Sequence, residues 1–226
     1  MPESKWKACL SIIAAATLAT GTAHAQAEEA AQPDVRQVRE APGDFQFVRL
    51  AYSANRYGGR GYGRGRRQPW QTDWTDAEHH FSKGVDRLTR IEVAEQGRKL
   101  TPLDYDLFDY QWIYAFEVFY WYLNVLEAAH LREYLLRGGF LMVDDFNGSY
   151  EWGAVLASME KVFPDRPIID IPEGDDAFQV HYDLDHRIQI PSRMFMYSGV
   201  TYERDGVTPH WRGIYDDNGR LMVAIN

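Results

Sequence analysis

Two adjacent carboxylates, Asp144 and Asp145, follow a short apolar run at residues 140–143. A continuous apolar run of this length is typical of a strand that is buried on both faces of a parallel sheet. In open α/β sheets, ligands bind beyond the carboxyl ends of the strands, so we expect chemistry here. A like-charged neighbour raises the pKa of a carboxyl group, which would suit either aspartate to general acid–base catalysis. The alternative is a structural role, in which the aspartates cap the next helix or bond the turn at Gly148.

A second group with chemical potential is His181, Asp183 and Asp185, which alternate along the sequence. On a strand, all three side chains would face one side. An imidazole and two carboxylates can ligate a divalent metal, so we predict an optional divalent-metal site here. His181 is also a candidate catalytic partner of Asp144 and Asp145. The alternative is a turn in which the aspartates accept hydrogen bonds from backbone amides.

An aromatic-rich segment at residues 116–123 follows a predicted central strand at residues 111–116. It should emerge at the same edge of the sheet as Asp144, where its rings could stack on a sugar or another flat ligand. Packing in the core or against a neighbouring subunit explains the same composition. The candidate ligand-binding residues are Glu117, Tyr120, Trp121, Asn147 and Asp183.

Alternating strands and amphipathic helices position these residues. We predict helices at residues 76–89, after a Thr75–Glu78 capping box; from Asn124 to the Gly138-Gly139 pair; and from a Ser149 cap to Pro164. We predict strands at residues 45–52, 91–93, 111–116, 140–143, 166–171 and 220–225, with residues 178–184 also strand-like. This alternation predicts a three-layer α/β fold, with a mainly parallel sheet and helices on both faces.

The amino-terminal region has the pattern of a signal peptide. Lys5 and Lys7 precede an apolar stretch at residues 10–19, and Ala23-His24-Ala25 is a small-x-small cleavage site. We therefore predict a signal peptide over residues 1–25 and a flexible leader over residues 26–43. This predicts a periplasmic or secreted protein with no stable membrane span after cleavage. The alternative is membrane anchoring by an uncleaved signal.

Charge and cysteine content restrict the partners and the chemistry. The formal net charge of −9 disfavours nucleic acid as a partner, although residues 53–68 form a Gly-rich stretch with five arginines and two tyrosines. A glycan or an envelope protein is the more plausible contact for that stretch. The only cysteine is Cys9, inside the predicted signal, so we expect no disulfide and no thiol nucleophile in the mature chain.

Four segments resemble the DUF4159 domain, a family of unknown function: residues 135–146, 162–168, 181–185 and 212–226. The likeness extends over residues 44–226, and it implies a class I glutamine amidotransferase-like (flavodoxin-like) fold without an established activity. In that fold, a nucleophilic cysteine would follow the strand that here ends at Val143. Asp144 and Asp145 occupy that position, so thiol-dependent amidotransferase chemistry is excluded.

The chain departs from the DUF4159 pattern in two places. Residues 174–178 replace a histidine-containing motif and contain no histidine. The family domain normally continues past Asn226, so we expect the domain to be truncated at its carboxyl-terminal end. We also expect its last strand, at residues 220–225, to lie at an unpaired or uncovered edge.

These features favour a non-catalytic ligand- or partner-binding module of the cell envelope. The alternative is a hydrolase that uses Asp144 or Asp145 with His181, with glycans as candidate substrates and a divalent metal as an optional cofactor. Convergence of these residues in one site would favour the enzyme. Separation of the residues, with the carboxylates satisfied by the protein's own donors, would favour the binding module.

Overall fold

A seven-stranded mixed sheet lies at the centre of the domain. The computed structural model describes residues 44–55, 68–182, 187 and 189–226. In these residues the strands are β1 (Val48–Leu50), β2 (Ser53–Ala54), β3 (Arg98–Leu100), β4 (Trp112–Phe116), β5 (Trp121–Tyr122), β6 (Phe140–Asp144), β7 (Ile169–Asp170), β8 (Arg212–Tyr215) and β9 (Leu221–Ile225). The predicted signal peptide and leader, Asp183 and Asp185, and most of the Arg/Gly-rich stretch lie outside the described residues.

The order of the strands is β3-β1-β4-β6-β9-β8-β7. The first five are parallel, whereas β8 and β7 continue the sheet in antiparallel pairing. The pairing of β4 with β6 runs in register from Trp112↔Phe140 to Phe116↔Asp144. Strands β2 and β5 form a separate antiparallel pair. The prediction of a mainly parallel sheet is therefore confirmed.

Helices cover both faces of the sheet. They are α1 (Asp76–Leu88), α2 (Val125–Leu136), α3 (Gly148–Val162) and the short α4 (Phe195–Ser198). On one face, the fully buried side chains of Ile113 and Leu141 share a core with the α2 and α3 side chains Leu131 and Met159. On the other face, α1 packs against β1 and β4, and Phe81 stacks on Trp112 at 5.2 Å. This arrangement confirms the three-layer α/β fold.

The α2 cap was predictable because it is local. The Asn124 side chain accepts hydrogen bonds from the backbone N–H groups of Leu126 and Glu127, and the Glu127 carboxylate accepts one from the Asn124 N–H. After the helix, Gly138 has φ +111°, a conformation that glycine adopts readily. Both ends of α2 therefore match the sequence prediction.

Two predicted helix caps are wrong. Thr75 makes no side-chain cap at α1, and Glu78 instead pairs with the buried Arg49, a partner 29 residues away. Ser149 does not cap α3, because its N–H and hydroxyl groups bond Asp205. A tertiary partner displaces the local capping interaction in both cases.

Several predicted strands also need correction. The segment at residues 91–93 forms only an isolated bridge, from Val93 to Phe45, and the edge strand is β3. Its sequence, Arg98-Lys99-Leu100, carries two charges. Charged residues are atypical of a buried strand, so the sequence pattern did not predict β3, but they are common on edge strands. Residues 176–178 form a 3-10 turn rather than the start of a strand.

The last strand is internal, so the expectation of an exposed edge is wrong. β9 pairs with β6 on one side and with β8 on the other. A tight turn after β8, with Gly219 at φ +81°, returns the chain into the gap beside β6. The edge strands of the described sheet are β3 and β7. No described helix is long and apolar enough to cross a bilayer.

Candidate functional site at the carboxyl edge of the sheet

The carboxyl ends of four neighbouring parallel strands bring polar residues to one edge of the sheet. Tyr52 follows β1, Glu117 follows β4, Asp144 ends β6 and Asn226 follows β9. We call the group Glu117, Tyr120, Asp144, Asp145 and Asn147 the carboxyl-edge site. Its position agrees with the general rule for ligand sites in open α/β sheets.

Asp144 is held by the protein's own donors. The Tyr114 hydroxyl donates to Oδ2 at 2.6 Å, and the Asp145 backbone N–H donates to Oδ1 at 2.8 Å. The Asn226 side-chain amide lies 3.5 Å from the same Oδ1. Burial, followed by the charge of Asp144, raises the pKa of Tyr114 well above its usual range, so this hydroxyl remains a donor. Asp144 thus has the contacts of a positioning residue.

Asp145 carries a carboxyl group whose pKa is raised. Its φ of +58° lies in the left-handed region, which is uncommon for a residue other than glycine. Solvent reaches part of the side chain, but the surrounding protein removes enough water to raise the pKa. The charges of Asp144, Glu203 and Glu151 add to this effect, and a hydrogen bond from Asn147 opposes it. The pKa of Asp145 is raised to about 6, so both protonation states are accessible near neutral pH.

Glu117 and Tyr120 border the site on the β4 side. Glu117 has φ +49°, is largely buried, and accepts a hydrogen bond from the Thr72 hydroxyl at 3.3 Å. The Tyr52 hydroxyl supports this turn, because it lies 2.8 Å from the carbonyl oxygens of both Phe116 and Glu117. Burial, then the charges of Glu117 and Glu151, raises the pKa of Tyr120.

A distant loop completes the amino-terminal end of α3. The buried Glu151 accepts the Asn147 N–H at 2.6 Å and pairs with Arg204 at 2.7 Å. Asp205 accepts hydrogen bonds from the N–H and hydroxyl groups of Ser149, which lower the pKa of Asp205. A Cβ at Gly148, where φ is +73°, would lie 2.0 Å from an Asp205 oxygen, so this close approach requires glycine.

A buried ion pair between β1 and α1 lies next to Tyr114, on the α1 side of the sheet. Arg49 on β1 is fully buried and pairs with Glu78, while its Nη1 donates to the carbonyl oxygens of Trp70 and Thr72 at 3.1 and 2.9 Å. Its guanidinium lies 5.3 Å from the ring centre of Tyr114, the donor to Asp144. Desolvation raises the pKa of Glu78.

Other predicted site residues lie apart from this group. His181 is exposed, and the centre of its ring lies 4.5 Å from that of Tyr182. No described contact joins His181 to Asp144 or Asp145. Trp121 is 4 % exposed and packs beside Tyr52, so its ring belongs to the core. Asp183 and Asp185 lie outside the described residues, and the described residues contain no group of three potential metal ligands.

The sequence analysis missed four side chains that organise the site: Tyr114, Glu151, Arg204 and Asp205. The role of Tyr114 was predictable in principle. Side chains two positions apart on a strand share a face, so Tyr114 lies on the same face of β4 as Phe116, the residue that pairs with Asp144. Glu151 had a weaker signal, as an acid in the first turn of a predicted helix. Nothing local connects residues 204 and 205 to a helix that begins more than 50 residues earlier.

The arrangement places the Asp145 carboxyl group, whose pKa is raised, beside the Asn147 amide, and the rings of Tyr120 and Tyr150 contact that of Phe119. Comparison with curated proteins finds no match for this chain. Residues 46–226 match the family described as "Domain of unknown function (DUF4159)". This match covers most of the chain, and the protein therefore belongs to the DUF4159 family.

Proposed function

We propose that this protein is a non-catalytic ligand-binding module of the cell envelope and that the carboxyl-edge site is its binding surface. One observation carries the proposal: the candidate catalytic groups do not form a catalytic set. Each oxygen of Asp144 accepts a hydrogen bond from the protein, from Tyr114 or from the Asp145 N–H, and His181 has no described contact with either aspartate. A nucleophile activated by a base, or a triad, would require direct hydrogen-bond contact between its members.

The chemistry around Asp145 suits a hydroxyl-rich ligand such as a glycan. A carboxyl group with a pKa of about 6 can accept hydrogen bonds from hydroxyls or donate one itself, and the Asn147 amide lies beside it. Tyr150 is exposed in the first turn of α3, and its ring centre lies 5.5 Å from that of the half-buried Phe119. Aromatic faces beside hydrogen-bonding groups are suited to the apolar and polar sides of sugar rings.

Binding of soluble peptidoglycan fragments and of chitotetraose, measured by calorimetry, tests this function. We expect Asp145→Asn and Tyr150→Ala each to weaken binding by about tenfold, equivalent to the loss of one good contact. Tyr105→Ala is the matched control, because Tyr105 is also an exposed tyrosine but lies on the helical turn after β3. Failure of both probes to bind, or equal losses in the control, would contradict the proposal.

The cell-envelope assignment depends on the amino-terminal sequence and has its own test. The basic start, the apolar stretch and Ala23-His24-Ala25 support export and cleavage. Amino-terminal sequencing of the mature protein from fractionated cells should give a chain that starts at Gln26 in the periplasmic or secreted fraction. Recovery of the intact chain from the cytosol would contradict export.

A second candidate function is favoured by the pKa of Asp145 alone. A carboxyl group that titrates near pH 6 is suited to general acid–base catalysis, so a hydrolase in which Asp145 activates water is the alternative. Product analysis after incubation with the same glycans separates the two functions. Turnover that is lost in Asp145→Asn would establish the hydrolase, whereas binding without products supports the module.

A further inference from the structure

Arg212 lies at the same edge of the sheet as the carboxyl-edge site. It begins β8 and pairs with Ile225, the last residue of β9, and β9 is the neighbour of β6. Strand β8 is therefore two strand spacings, about 10 Å, from β6. Along this edge, the two acids at the end of β6, Asp144 and Asp145, are followed by one cation.

Two aromatic rings connect Arg212 to the carboxyl-edge site. Phe146, the residue between Asp145 and Asn147, stacks on Trp152 of α3, with ring centres 5.9 Å apart. The guanidinium carbon of Arg212 lies over the Trp152 ring, 4.2 Å from its centre. We call Phe146, Trp152 and Arg212 the ring–guanidinium stack. All three residues are half-buried, so the stack is built into the surface of the domain.

Arg212 has hydrogen-bond donors that the protein does not use. In the described part of the chain its side chain donates no hydrogen bond, and its ion-pair partner Asp170 lies 3.9 Å from Nε. His210 lies closer to the same Asp170 oxygen, at 3.3 Å. Trp152 holds the guanidinium by cation–π attraction, which does not use the N–H groups. The other buried or half-buried arginines of the described residues each donate at least one hydrogen bond: Arg49, Arg98, Arg132, Arg166, Arg187 and Arg220.

The unused donors of Arg212 indicate which ligand group would fit. A guanidinium binds a carboxylate through two parallel hydrogen bonds, and partial burial strengthens such a pair because less water screens it. Burial lowers the pKa of Arg212 and the charge of Asp170 opposes this shift, but an arginine stays charged at neutral pH. A doubly charged phosphate is a poorer match, because this single cation lies between Asp170 and the acids of the carboxyl-edge site.

We propose that Arg212 recognises a carboxylate of the bound ligand, so that the ligand is an acidic saccharide rather than a neutral one. This inference rests on the ligand-binding function proposed above and specifies its ligand class. Sugar hydroxyls contact Asp145 and Asn147, while the carboxylate binds Arg212 on the ring–guanidinium stack. The separation of about 10 Å between the two strands requires a ligand of at least two sugar rings.

Calorimetry with two forms of one probe tests the proposal. The probe is the peptidoglycan tetrasaccharide of alternating N-acetylglucosamine and N-acetylmuramic acid, without peptides, used with free carboxylates or with the carboxylates converted to amides. We expect the wild type to bind the carboxylate form about tenfold more tightly, and Arg212→Gln to bind both forms equally. Arg212→Lys should retain part of the preference, because an ammonium group keeps the charge but not the two parallel hydrogen bonds.

Arg137→Gln is the matched control. It removes the same charge from another arginine that lies over a ring, that of Phe108 at 5.3 Å, but Arg137 precedes β6 at the opposite edge of the sheet. This variant should keep the full preference for the carboxylate form. A preference that survives in Arg212→Gln would overturn the proposal, as would loss of both forms with an unchanged circular dichroism spectrum. If Arg212→Gln does not fold, an undiminished preference in Arg212→Lys would overturn it.

The outcomes also separate this inference from the proposed function. Equal binding of the two forms by the wild type, weakened in Asp145→Asn, would leave the binding module in place and overturn the role of Arg212. Absence of binding by both forms and by chitotetraose would overturn both proposals. Free D-lactate should not compete with the tetrasaccharide. Competition by D-lactate at the same concentration would show that Arg212 binds small carboxylates rather than an acidic saccharide.

Discussion

At the residue scale, Tyr114 and Asp145 determine the character of the carboxyl-edge site. The Tyr114 hydroxyl fixes Asp144, which in turn accepts the Asp145 backbone N–H. Asp145 then leaves the strand in a left-handed conformation, with its carboxyl group among three other acids. The half-buried Tyr114 thus positions Asp144 directly and Asp145 through Asp144.

Removal of the Tyr114 hydroxyl should destabilise the fold. Tyr114→Phe leaves Asp144 without its shortest hydrogen bond, and hydrogen bonds to charged groups contribute about 1.5 to 3 kcal/mol. We expect the free energy of unfolding in urea to fall by about that amount. Tyr105→Phe is the control, because Tyr105 is 85 % exposed and its hydroxyl forms no described hydrogen bond. Equal effects of the two substitutions would contradict the role of Tyr114.

Asp145 should make stability depend on pH in a defined direction. Its folded-state pKa of about 6 is above the unfolded value of about 4, so the folded chain binds the proton more tightly. This contribution is fully present below about pH 4 and is lost as the pH rises through 6. Asp145→Asn should therefore raise the melting temperature relative to wild type at pH 8 but not at pH 4.

The control for this pH effect is Glu160→Gln, which neutralises an exposed acid on the same helix that begins after Asp145. We expect the difference between this variant and wild type to be similar at the two pH values. Melting temperatures at pH 4, 6 and 8 are the measurement. A gain for Asp145→Asn that is constant across this range would show that its charge is not destabilising.

At the scale of elements, the start of α3 depends on a glycine that faces a distant loop. Gly148 has φ +73°, and Asp205 closes over it to accept hydrogen bonds from Ser149. The helix therefore obtains one amino-terminal acceptor, Asp205, from far away in the sequence, in addition to Glu151 in its own first turn. Arg204 of the same loop pairs with Glu151 on α3, and the charge of Glu203 raises the pKa of Asp145, so residues 203–205 connect α3 to the carboxyl-edge site.

Gly148→Ala should disrupt the contact between the start of α3 and Asp205. The left-handed conformation costs a residue with a Cβ about 1 to 2 kcal/mol, and the contact with Asp205 adds to this cost. We expect a loss of about 2 kcal/mol or more in the free energy of unfolding. Gly153→Ala is the matched control within α3, where a Cβ meets no atom within 4 Å, so this variant should be slightly more stable than wild type. A change in the free energy of unfolding with the same sign in both variants would refute this account.

At the scale of the whole molecule, one buried ion pair joins the α1 layer to the sheet. Arg49 and Glu78 are almost completely buried, and Arg49 is surrounded by the rings of Trp74, Tyr114 and Phe116. An ion pair in such a position stabilises less than its short contact suggests, because both charges lose their water. Loss of only one partner is much more costly, because a charge then stays buried alone.

A double substitution separates these two effects. Glu78→Leu alone should lower the free energy of unfolding by about 3 to 5 kcal/mol, because Arg49 then remains charged and unpaired in the interior. Addition of Arg49→Met should recover most of that loss, since similar-sized apolar side chains pack in the same space. Unfolding in denaturant measures both. A double variant that is as unstable as the single variant would show that the pair itself is indispensable.

The sequence predicted the features that depend on near neighbours. The α2 cap at Asn124 and the buried strand β6 both follow from residues within a few positions of each other. The sequence failed where a distant partner competes, as when Arg49 takes Glu78 from its capping box and Asp205 takes Ser149. The carboxyl-edge location of Asp144 and Asp145 was predictable from topology. The effect of Glu203 on Asp145 and the pairing of Arg204 with Glu151 were not predictable, because these residues come together only in the folded chain.

The internal position of β9 has a consequence for the rate of folding. Leu141 on β6 pairs with Val223 on β9, so this register closes a loop of about 80 residues. Pairing across such separations slows folding, because the entropy of loop closure is lost before contacts compensate for it. In the described sheet, strands β8 and β7 connect to the parallel strands through β9, and Asn226 approaches Asp144 when β9 pairs. The carboxyl-edge site should therefore form late, together with the half of the sheet that β9 connects.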